Sequence, residues 1–575
     1  MRRSRFVPWL LMILLLAGFG VFLAWPIWLV VATGFEGTDG GFTLYHVLDV
    51  FRDPVTLRGL LNALGIAVCT TIVCLLIGIP LAICSVRYEF WGKGFLNALV
   101  LVPLILPPFV GAIGLQHLLG KSGALNALLI DLGFISEGVD FIGAGGFWAI
   151  VFIEALHLYP ILYLNAVAAL ANLDPALDEA AENLGATPWQ RLRQIILPLI
   201  RPGLFAGATI VFIWSFTELG TPLMFDYQEV TPVQIFNGLK EIADSRQPYA
   251  LTAVLLLVAV GIYVLGKFAF GGRAYTMYAK ASIQSTAKRL GGFGSALVFL
   301  LFAFIIFLAV LPHISVILTS LSVEGTWYRS VLPQEFTFAH YEKALGHPLA
   351  IGSIRNSLLY SVLAVSADIV LGICIGYLIV RTRIWGRGLL DALSMLPLAV
   401  PGLVMAFGYV AMTLSWPLAK GDPLEGLIDV VGADPNPMLL LVIAYAVRRL
   451  PYVVRSTVAG LEQTSGELEE AALNLGAGRI RAIRTIILPL IVANLLAGAL
   501  LAFSFAMLEV SDSLILAQRE GDYPITKAIY VLFERLGDGP YIASAMGVWA
   551  MALLAVTLVG ASVLIGKKMG AIFRV

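Results

Sequence analysis

Two stretches of this 575-residue chain share one pattern: EAAENLGATPWQRLRQIILP at residues 179–198 and EAALNLGAGRIRAIRTIILP at residues 470–489. Both read Glu-Ala-Ala, three residues, Gly, nine residues and then Ile-x-Leu-Pro. Each stretch is polar and helix-forming, is interrupted by a glycine, and lies between very apolar stretches. A membrane protein needs such a segment where it meets a soluble partner. The repeated pattern therefore predicts two partner-binding loops in one chain.

The composition places the chain among all-α polytopic membrane proteins. Hydrophobic residues make up 59% of it and charged residues only 13%, whereas charged residues make up about 25% of a soluble globular protein. The net charge of zero gives no reason to expect a nucleic-acid partner, because the position of each charge along a membrane chain matters more than the total. The four cysteines lie in apolar runs without metal-ligand spacing, so we interpret them as small hydrophobic residues and expect no metal site.

The apolar stretches predict about twelve transmembrane helices, six in each half of the chain. A bilayer core of about 30 Å requires roughly 20 apolar residues per helix. The predicted spans lie near 8–33, 58–83, 95–119, 146–171, 202–225, 250–270, 294–320, 355–379, 389–415, 438–459, 490–516 and 542–566.

The basic residues predict which side of the membrane each loop faces. With twelve spans both termini lie on one side, and most of the lysines and arginines fall on that side, including Arg87, Lys93, Arg191, Arg381, Arg387 and Arg484. Cytoplasmic loops carry an excess of Lys and Arg, so we expect both termini and both Glu-Ala-Ala loops in the cytoplasm.

The two halves are predicted to be parallel repeats, because six spans return the chain to its starting side. Val86-Arg87 matches Val380-Arg381 at an offset of 294 residues, while Glu179 matches Glu470 at an offset of 291. We predict a first repeat over residues 1–275 with its loop near 174–198, a cytoplasmic linker over 276–292, and a second repeat over 293–575 with its loop near 465–489.

Within each loop, Glu-Ala-Ala is predicted to open a short amphipathic helix. The glycine six residues after the glutamate permits positive φ, and hence a turn into a second helix. We expect that second helix to end at Leu-Pro, where the next span begins. The alternative interpretation is an ordinary amphipathic helix that lies on the membrane surface.

The spacing EAA-x3-G-x9-I-x-LP between the fourth and fifth of six spans resembles the cytoplasmic loop of binding-protein-dependent ABC importer permeases. Two copies in two six-span halves resemble the fused double permeases of the ferric-iron and thiamine importer group. The resemblance covers essentially the whole chain and implies the type I ABC importer permease fold, with each loop as a coupling helix that docks on an ATP-binding subunit. The coupling residues that carry over are Glu179, Ala180, Ala181 and Gly185, with Glu470, Ala471, Ala472 and Gly476.

The resemblance also implies a location in the bacterial inner membrane. It implies as partners two copies of a cytoplasmic ATP-binding subunit, which bind ATP and Mg²⁺, and a periplasmic substrate-binding protein. The chain itself is expected to hold no cofactor and to be no enzyme. Gly114 to Ser122 looks like a phosphate-binding loop, but five residues rather than four separate its glycines, so we interpret it as a chance match.

Acidic residues inside the fifth span of each half are candidates for the substrate pathway. Glu218 and Glu509 each lie 39 residues after the motif glutamate, and Asp512 follows Glu509 by three. Carboxylates in a span usually face a bundle interior or a pathway. The alternative is that they bond to backbone or hydroxyl groups, such as those of Ser215, Thr217, Ser511 and Ser513, at a helix break. Asp368, which has no acidic counterpart, is interpreted as a packing group.

Prolines in the third span of each half, at positions 103, 107, 108, 397 and 401, predict a kinked or interrupted helix. Such breaks commonly border a transport route.

The substrate is the part of the function on which the residues say least. Overall resemblance ranks ferric iron first, followed by thiamine, a polyamine, a phosphonate or a sugar phosphate. A second class of function is a secondary transporter driven by an ion gradient, which would also fit two repeated halves but has no need of two docking loops. A membrane-embedded enzyme is the third, and the sequence carries no catalytic constellation for it.

Overall fold

A computed structural model describes residues 3–37, 39–105, 107–143, 146–242, 245–270, 287–432 and 434–565, and most of this is helical. Most of the predicted linker, residues 276–286, lies outside the described residues. The helices of the first half are α1 (Arg3–Phe19), α2 (Trp25–Gly34), α3 (Tyr45–Arg52), α4 (Pro54–Arg87), α5 (Lys93–Leu99), α6 (Pro108–Leu119), α7 (Ala124–Asp131), α8 (Phe147–Ala171), α9 (Pro175–Asn183), α10 (Pro188–Arg191), α11 (Leu197–Phe216), α12 (Gly220–Met224), α13 (Thr231–Gly238) and α14 (Gln247–Phe270).

The second half repeats this order from its first long helix onward, except that α7 has no counterpart among its helices. Its helices are α15 (Gly292–Leu321), α16 (Ala339–Gly346), α17 (Pro348–Arg381), α18 (Arg387–Ala399), α19 (Gly402–Thr413), α20 (Met438–Glu462), α21 (Glu467–Asn474), α22 (Arg479–Ala482), α23 (Leu488–Met507), α24 (Ser511–Leu516), α25 (Ile525–Phe533) and α26 (Gly539–Ile565). Short π-helical turns at Gly20–Ala24, Leu192–Ile196 and Ile483–Ile487 join consecutive α-helices. Two short parallel strands, β1 (Tyr88–Glu89) and β2 (Lys288–Arg289), pair with each other.

Nine helices in the described part of the chain are long and apolar enough to cross a membrane, and two bent helix pairs raise the number to eleven. The remaining predicted span is α20, which lies where the sequence predicts it but is too highly charged to count, because Arg448, Arg449 and Arg455 interrupt its apolar run. The predicted fold class, an all-α polytopic membrane protein, is confirmed.

Both predicted third spans are broken. The segments Lys93–Leu104 and Pro108–Asp131 meet at an angle of 96°, and α18 meets α19 at 102°. Proline causes such breaks because it lacks an N–H and its ring clashes with the preceding turn. Pro107 and Pro401 stand directly before α6 and α19, at matching places in the two halves.

The described residues form two compact units, each of which combines pieces of both sequence halves. Unit 1 takes in Met1–Leu57, Pro232–Leu256 and Thr337–Ile572, and unit 2 takes in Arg58–Thr231 and Leu257–Phe336. Thus α1 and α2 of the first half belong with most of the second half, while α15 belongs with most of the first. The boundaries of the compact units therefore do not coincide with the boundaries of the two sequence repeats.

Repeat-equivalent glycines allow the close contacts within each unit. In unit 1, a Cβ on Gly408 of α19 would lie 2.7 Å from the carbonyl oxygen of Pro26 in α2. In unit 2, a Cβ on Gly114 of α6 would lie 2.8 Å from Cβ of Ser315 in α15. Small residues let membrane helices approach closely, so these two positions hold the first helix of each half against its partner helix.

The apolar core of unit 2 is built on α4, α8 and α15, with Tyr159, Leu162 and Phe302 fully buried in it. In unit 1 the smaller apolar cluster around Val453 joins α17, α20 and α23. In both units the second and fourth predicted spans therefore pack together next to the loops with the repeated pattern.

Candidate functional site

The first Glu-Ala-Ala loop is a short helix, a glycine turn and a second helix, as the sequence predicts. Asp174 caps α9 because its side chain accepts a hydrogen bond from the amide of Ala176 (3.0 Å). Gly185 adopts φ +83° directly after the helix end. The amides of Gly185 and Ala186 donate to the carbonyls of Glu182 (2.9 Å) and Ala181 (3.0 Å), which is the Schellman arrangement that favours glycine.

The second loop has the same geometry. Gly476 adopts φ +86° after α21, and the amides of Gly476 and Ala477 donate to the carbonyls of Leu473 and Ala472, both at 3.0 Å. The glycine of each motif is therefore required by backbone conformation.

The second helix of each loop differs from the prediction. It does not end at Leu-Pro, since one continuous helical segment runs from Pro188 to Phe216 and another from Arg479 to Met507. The prolines are accommodated because the turn before each is π-helical, and the loss of one hydrogen bond at a proline is absorbed there. Each loop thus leads without interruption into the fifth predicted span.

One face of each loop is exposed and repeats position by position. Glu179, Ala180, Glu470 and Ala471 are exposed, whereas Ala181 is half-buried and Ala472 is buried. The leucines before the motif glycines are 89% and 90% exposed. We name the exposed set the motif face; it consists of Leu177, Glu179, Leu184 and Trp189 in the first loop and Leu468, Glu470, Leu475 and Ile480 in the second.

The acidic residues of the fifth spans lie at helix breaks. Helix α11 ends at Phe216 and α12 begins at Gly220, which places Glu218 between them. In the same way Glu509 lies between α23 and α24. The two equivalent positions nevertheless have different surroundings.

Glu509 is 4% exposed and forms ion pairs with two arginines of α20. Its carboxylate lies 3.1 Å from Nη1 of Arg448 and accepts a hydrogen bond from Nη2 of Arg449. Asp512 is fully buried, with Oδ2 3.7 Å from Arg448. Gly402, at the start of α19, leaves the space that the Arg448 guanidinium occupies.

Glu218 is half-buried and accepts hydrogen bonds from the amide (3.2 Å) and hydroxyl (3.3 Å) of Thr221. It lies close enough to Glu154 of α8 for the two carboxylates to interact electrostatically. Glu154 is buried and accepts a hydrogen bond from Ser215, while its Oε1 has no hydrogen-bond partner among the described residues. The first half therefore places two carboxylates together where the second half places carboxylates against arginines.

Two of the hydroxyl groups that the sequence suggested as partners of these carboxylates form hydrogen bonds elsewhere. Ser215 donates to Glu154 rather than to Glu218, and Ser513 bonds to the carbonyl of Glu509 and to Tyr445. Asp368 is fully buried in α17, and neither of its carboxylate oxygens has a hydrogen-bond partner in the described part of the chain.

A comparison with known families decides the identity of the fold. The sequence profile described as "Binding-protein-dependent transport system inner membrane component" matches this chain twice, over residues 74–270 and 368–567. The chain belongs to this family. The two matches confirm the internal repeat and the resemblance to a fused double permease, and they identify a multi-pass inner membrane protein.

Relatives of this permease extend over both halves. A "Putative ferric transport system permease protein FbpB 1" of Haemophilus influenzae is 28% identical over 92% of this chain and 80% of its own length. A "Ferric transport system permease protein FbpB" of Actinobacillus pleuropneumoniae is 28% identical over 88% of this chain and 71% of its own. An "Fe(3+)-transport system permease protein FbpB 2" of Haemophilus influenzae is 25% identical and covers 97% and 98%.

Sequence reasoning missed three parts of the permease sites. It did not pair Glu509 with Arg448 and Arg449, although two adjacent arginines in a predicted span are a visible signal that an acidic partner is near. It also missed Glu154, a single carboxylate in the fourth span. The third omission is the acidic residue before each motif glutamate, Asp178 and Glu469.

No group of three or more His, Cys, Asp and Glu side chains that could hold a metal ion occurs within the described ranges. Near the breaks of the fifth spans, Glu154 and Glu218 lie together in the first half, whereas Glu509 and Asp512 lie beside arginines in the second half.

Proposed function

We propose that this chain is the complete transmembrane part of an ABC importer, and that it moves ferric iron delivered by a periplasmic binding protein. The observation that carries the proposal is the pair of motif faces, equivalent in position and both exposed, in a chain that matches the family twice. A single chain with two such faces takes the place of a permease dimer and recruits two ATP-binding subunits.

Each motif face has the composition of a docking surface. An exposed leucine and an exposed tryptophan or isoleucine flank an exposed glutamate, so an apolar contact and an ionic contact can form together. Large exposed apolar residues that cluster in this way mark interaction sites. We infer that the ATP-binding subunits supply a complementary cleft with a basic residue for Glu179 or Glu470, and that ATP and Mg²⁺ are bound in those subunits.

The relatives favour ferric iron over the alternatives. The ferric permeases align over about nine-tenths of this chain or more, at 92%, 88% and 97%. By contrast, a "Putative 2-aminoethylphosphonate transport system permease protein PhnU" of Salmonella choleraesuis aligns over 45% of this chain and 91% of its own length, and a spermidine/putrescine permease of Haemophilus influenzae over 33% and 68%. Each of these relatives therefore matches less than half of the chain. Phosphonate, polyamine, thiamine and sugar phosphate remain the other substrates to test.

The acidic residues support a pathway for a cation, with unequal roles in the two halves. Glu218 offers a half-buried carboxylate next to the buried carboxyl group of Glu154, and a carboxylate with little solvent around it interacts strongly with a multivalent cation because the surroundings screen it weakly. Glu509 and Asp512 instead form ion pairs with Arg448. We therefore assign the pathway role to Glu218 ahead of Glu509 and Asp512.

The orientation follows from the basic residues. With both motif faces and both termini in the cytoplasm, Arg87, Arg191, Arg381 and Arg484 lie on the side where Lys and Arg accumulate. The binding protein would then dock on the opposite, periplasmic side.

The proposal is tested by the double variant Glu179→Ala/Glu470→Ala in the full chain, co-expressed with the ATP-binding subunit and reconstituted with the binding protein. We expect the wild-type chain to co-purify with two ATP-binding subunits and to take up ferric iron with ATP. The double variant should lose substrate-stimulated ATP hydrolysis while still inserting in the membrane. Glu467→Ala, an exposed glutamate on the same helix as Glu470, is the matched control.

Uptake that proceeds with an ion gradient and without an ATP-binding subunit would identify a secondary transporter instead. Uptake of a different ligand under ATP control would retain the importer and replace the substrate.

A further inference from the structure

The residue before each motif glutamate is also acidic, and it faces the protein. Asp178 is 22% exposed and Glu469 is 10% exposed, whereas Glu179 and Glu470 next to them are exposed. Consecutive residues of a helix point about 100° apart. The motif helix thus presents one carboxylate outward and the preceding one inward.

In the first loop, the inward carboxylate binds the end of the second predicted span. Asp178 accepts a hydrogen bond from Nη2 of Arg87, the last residue of α4. Its second cation is Arg191 of α10, at 3.4 Å, which also pairs with Glu182 at 2.6 Å. Asp178 therefore joins α9 both to α4 and to the helix that follows the motif glycine.

In the second loop, the inward carboxylate binds the equivalent span. Tyr377 of α17 donates a hydrogen bond to Oε1 of Glu469 (2.5 Å), and Nε of Arg381, the last residue of α17, lies 3.9 Å from Oε2. Arg381 also donates to the carbonyls of Thr464 (2.8 Å) and Leu461 (3.0 Å), which lie just before α21. The end of α17 thus contacts both the motif helix and the chain that leads into it.

Comparison of equivalent positions in the two repeats shows which of these contacts occurs in both loops. Arg87 and Arg381 are equivalent, and so are Asp178 and Glu469. By contrast, the position of Arg191 holds Ala482 in the second half, and the position of Tyr377 holds Ile83 in the first. The second partner comes from a different element in each loop, but the terminal arginine of the second span is retained in both.

We propose that Asp178 and Glu469 are positioning residues that fasten each motif helix to the end of α4 or α17, so that the second span of each repeat moves with the docked ATP-binding subunit. This inference rests on the proposed function. Each motif loop then has two connections to the membrane region: the continuous helix into α11 or α23, and the side-chain bridge to α4 or α17. Ion pairs that are partly buried are screened less by solvent than exposed ones, which suits a bridge that must hold during movement.

The test uses the full chain in complex with its ATP-binding subunits and binding protein, in proteoliposomes. In Asp178→Ala/Glu469→Ala the motif face is unaltered, so we expect the complex to assemble with two ATP-binding subunits. Stimulation of ATP hydrolysis by the loaded binding protein should fall by about fivefold or more, the size of a typical coupling between sites, and transport should fall with it.

A charge exchange separates the bridge from a general loss of structure. In a chain that also carries Arg191→Ala, Arg87→Asp should lose stimulation and Arg87→Asp/Asp178→Arg should regain it, because the pair is restored with its charges reversed and no second arginine faces the new one. The matched control is Arg58→Ala, which removes an exposed ion pair to Glu229 (3.1 Å) near the opposite end of α4 and should leave stimulation at the wild-type level.

If the Asp178→Ala/Glu469→Ala complex keeps wild-type stimulation and transport, or if the charge exchange restores nothing, the bridge has no role in coupling and the inference is overturned. A wild-type chain that binds no ATP-binding subunit would instead overturn the proposed function, so the two failures are distinguishable.

Discussion

At the scale of single residues, the buried charges of α20 and the fifth spans matter most. Glu509 lies against the guanidinium groups of Arg448 and Arg449, and Asp512 lies 3.7 Å from the first of them. Taking charges out of water is costly, and each is tolerated because its neighbours compensate it. The surroundings of Glu218 differ from those of Glu509, since the α8 position equivalent to Arg448 holds His157 and the position equivalent to Arg449 holds Leu158.

The difference between the two glutamates is testable by stability. Glu509→Gln should destabilise the protein by about 3–5 kcal/mol, because it leaves buried guanidinium charge without its partner. Glu218→Gln keeps an oxygen for Thr221 and should change stability by no more than about 1 kcal/mol. Thermal unfolding of the detergent-purified variants measures both. Equal losses in the two variants would contradict the assignment of Glu509 to a structural ion pair.

Lys527 of α25 gives a prediction about pH. Its ammonium group is buried, donates to the carbonyl of Leu514 (2.9 Å) and lies over the rings of Phe236 and Tyr523 at 5.4 and 5.7 Å. Burial lowers the pKa of Lys527 to about 8. Between that pH and about 10.4, the unfolded chain binds the proton that the folded chain has released. The contribution of Lys527 to stability therefore rises with pH through this window.

The measurement compares wild type with Lys527→Met by thermal unfolding at pH 7.5 and pH 9.5. The stability of wild type relative to Lys527→Met should increase at the higher pH, within a limit of roughly 3 kcal/mol set by the pKa shift. Lys420→Met, at an exposed lysine, is the control. A relative stability that stays constant between the two pH values would contradict the prediction.

At the scale of elements, each motif loop is a rigid unit rather than a flexible connection. A capped or acidic helix start, a Schellman turn and a helix continuous with the fifth span fix the direction of the motif face. In the first loop a capping box between Thr187 and Gln190 begins the second helix. Under the proposed function, force applied to the motif face by a docked ATP-binding subunit therefore reaches the spans directly.

The motif glycines are the positions at which this geometry is most easily lost. Gly185→Ala and Gly476→Ala introduce a Cβ into the left-handed conformation, which costs about 1–2 kcal/mol per residue. No atom lies within 4 Å of the added Cβ at either position, so the cost is conformational and not steric. We expect amide hydrogen exchange in α9 and α21 to become about 5–30-fold faster, in proportion to that cost.

The matched control is Gly478→Ser. Gly478 lies two residues beyond Gly476 with φ −68°, at the start of α22, where serine is a favoured cap. Exchange as fast in this control as in Gly476→Ala would mean that the loop responds to any substitution, and the role of positive φ would be withdrawn.

At the scale of the whole molecule, the two sequence repeats do not fold as two separate bodies. The first helix of each repeat belongs to the compact unit that holds most of the other repeat. The contacts that fix it include the hydroxyl of Tyr409, which donates to the carbonyl of Phe22 (2.8 Å) within a π-helical turn, and the hydroxyl of Ser315, which donates to the carbonyl of Gly114 (2.6 Å). A single fused chain suits this exchange because both repeats are always present together.

Gly114 and Gly408 should be essential for the exchanged helices. Gly114→Val or Gly408→Val places a side chain where backbone atoms of the facing helix already lie, and overpacking of this kind costs about 1–3 kcal/mol. Lower thermal stability and loss of monodisperse protein on gel filtration are the expected results. Gly261→Val is the control, because nothing lies within 4 Å of an added Cβ at that position of α14. A control variant as unstable as the other two would remove this interpretation.

The sequence by itself determined the class, the repeat and the two motif loops, because these depend on local composition and spacing. Apolar length predicts a span, a proline predicts a break, and a glycine six residues after Glu-Ala-Ala predicts a turn with positive φ. The predictions for Gly185, Gly476 and the third spans are confirmed for this reason. The prediction that the second loop helix ends at Leu-Pro is wrong. A π-helical turn before the proline lets the helix continue, and whether that turn forms depends on the helix that follows it.

Only the tertiary structure decided which partner each buried charge has and which helices pack together. Glu218 and Glu509 are equivalent in sequence, but one lies near a carboxylate of α8 and the other between arginines of α20. The bridges from Asp178 to Arg87 and from Glu469 to Tyr377 and Arg381 join residues about 90 positions apart, and the first helices exchange between repeats. The energy of an ion pair or a close helix contact depends on the distance between the groups and on their burial. Spacing along the chain gives neither of these quantities.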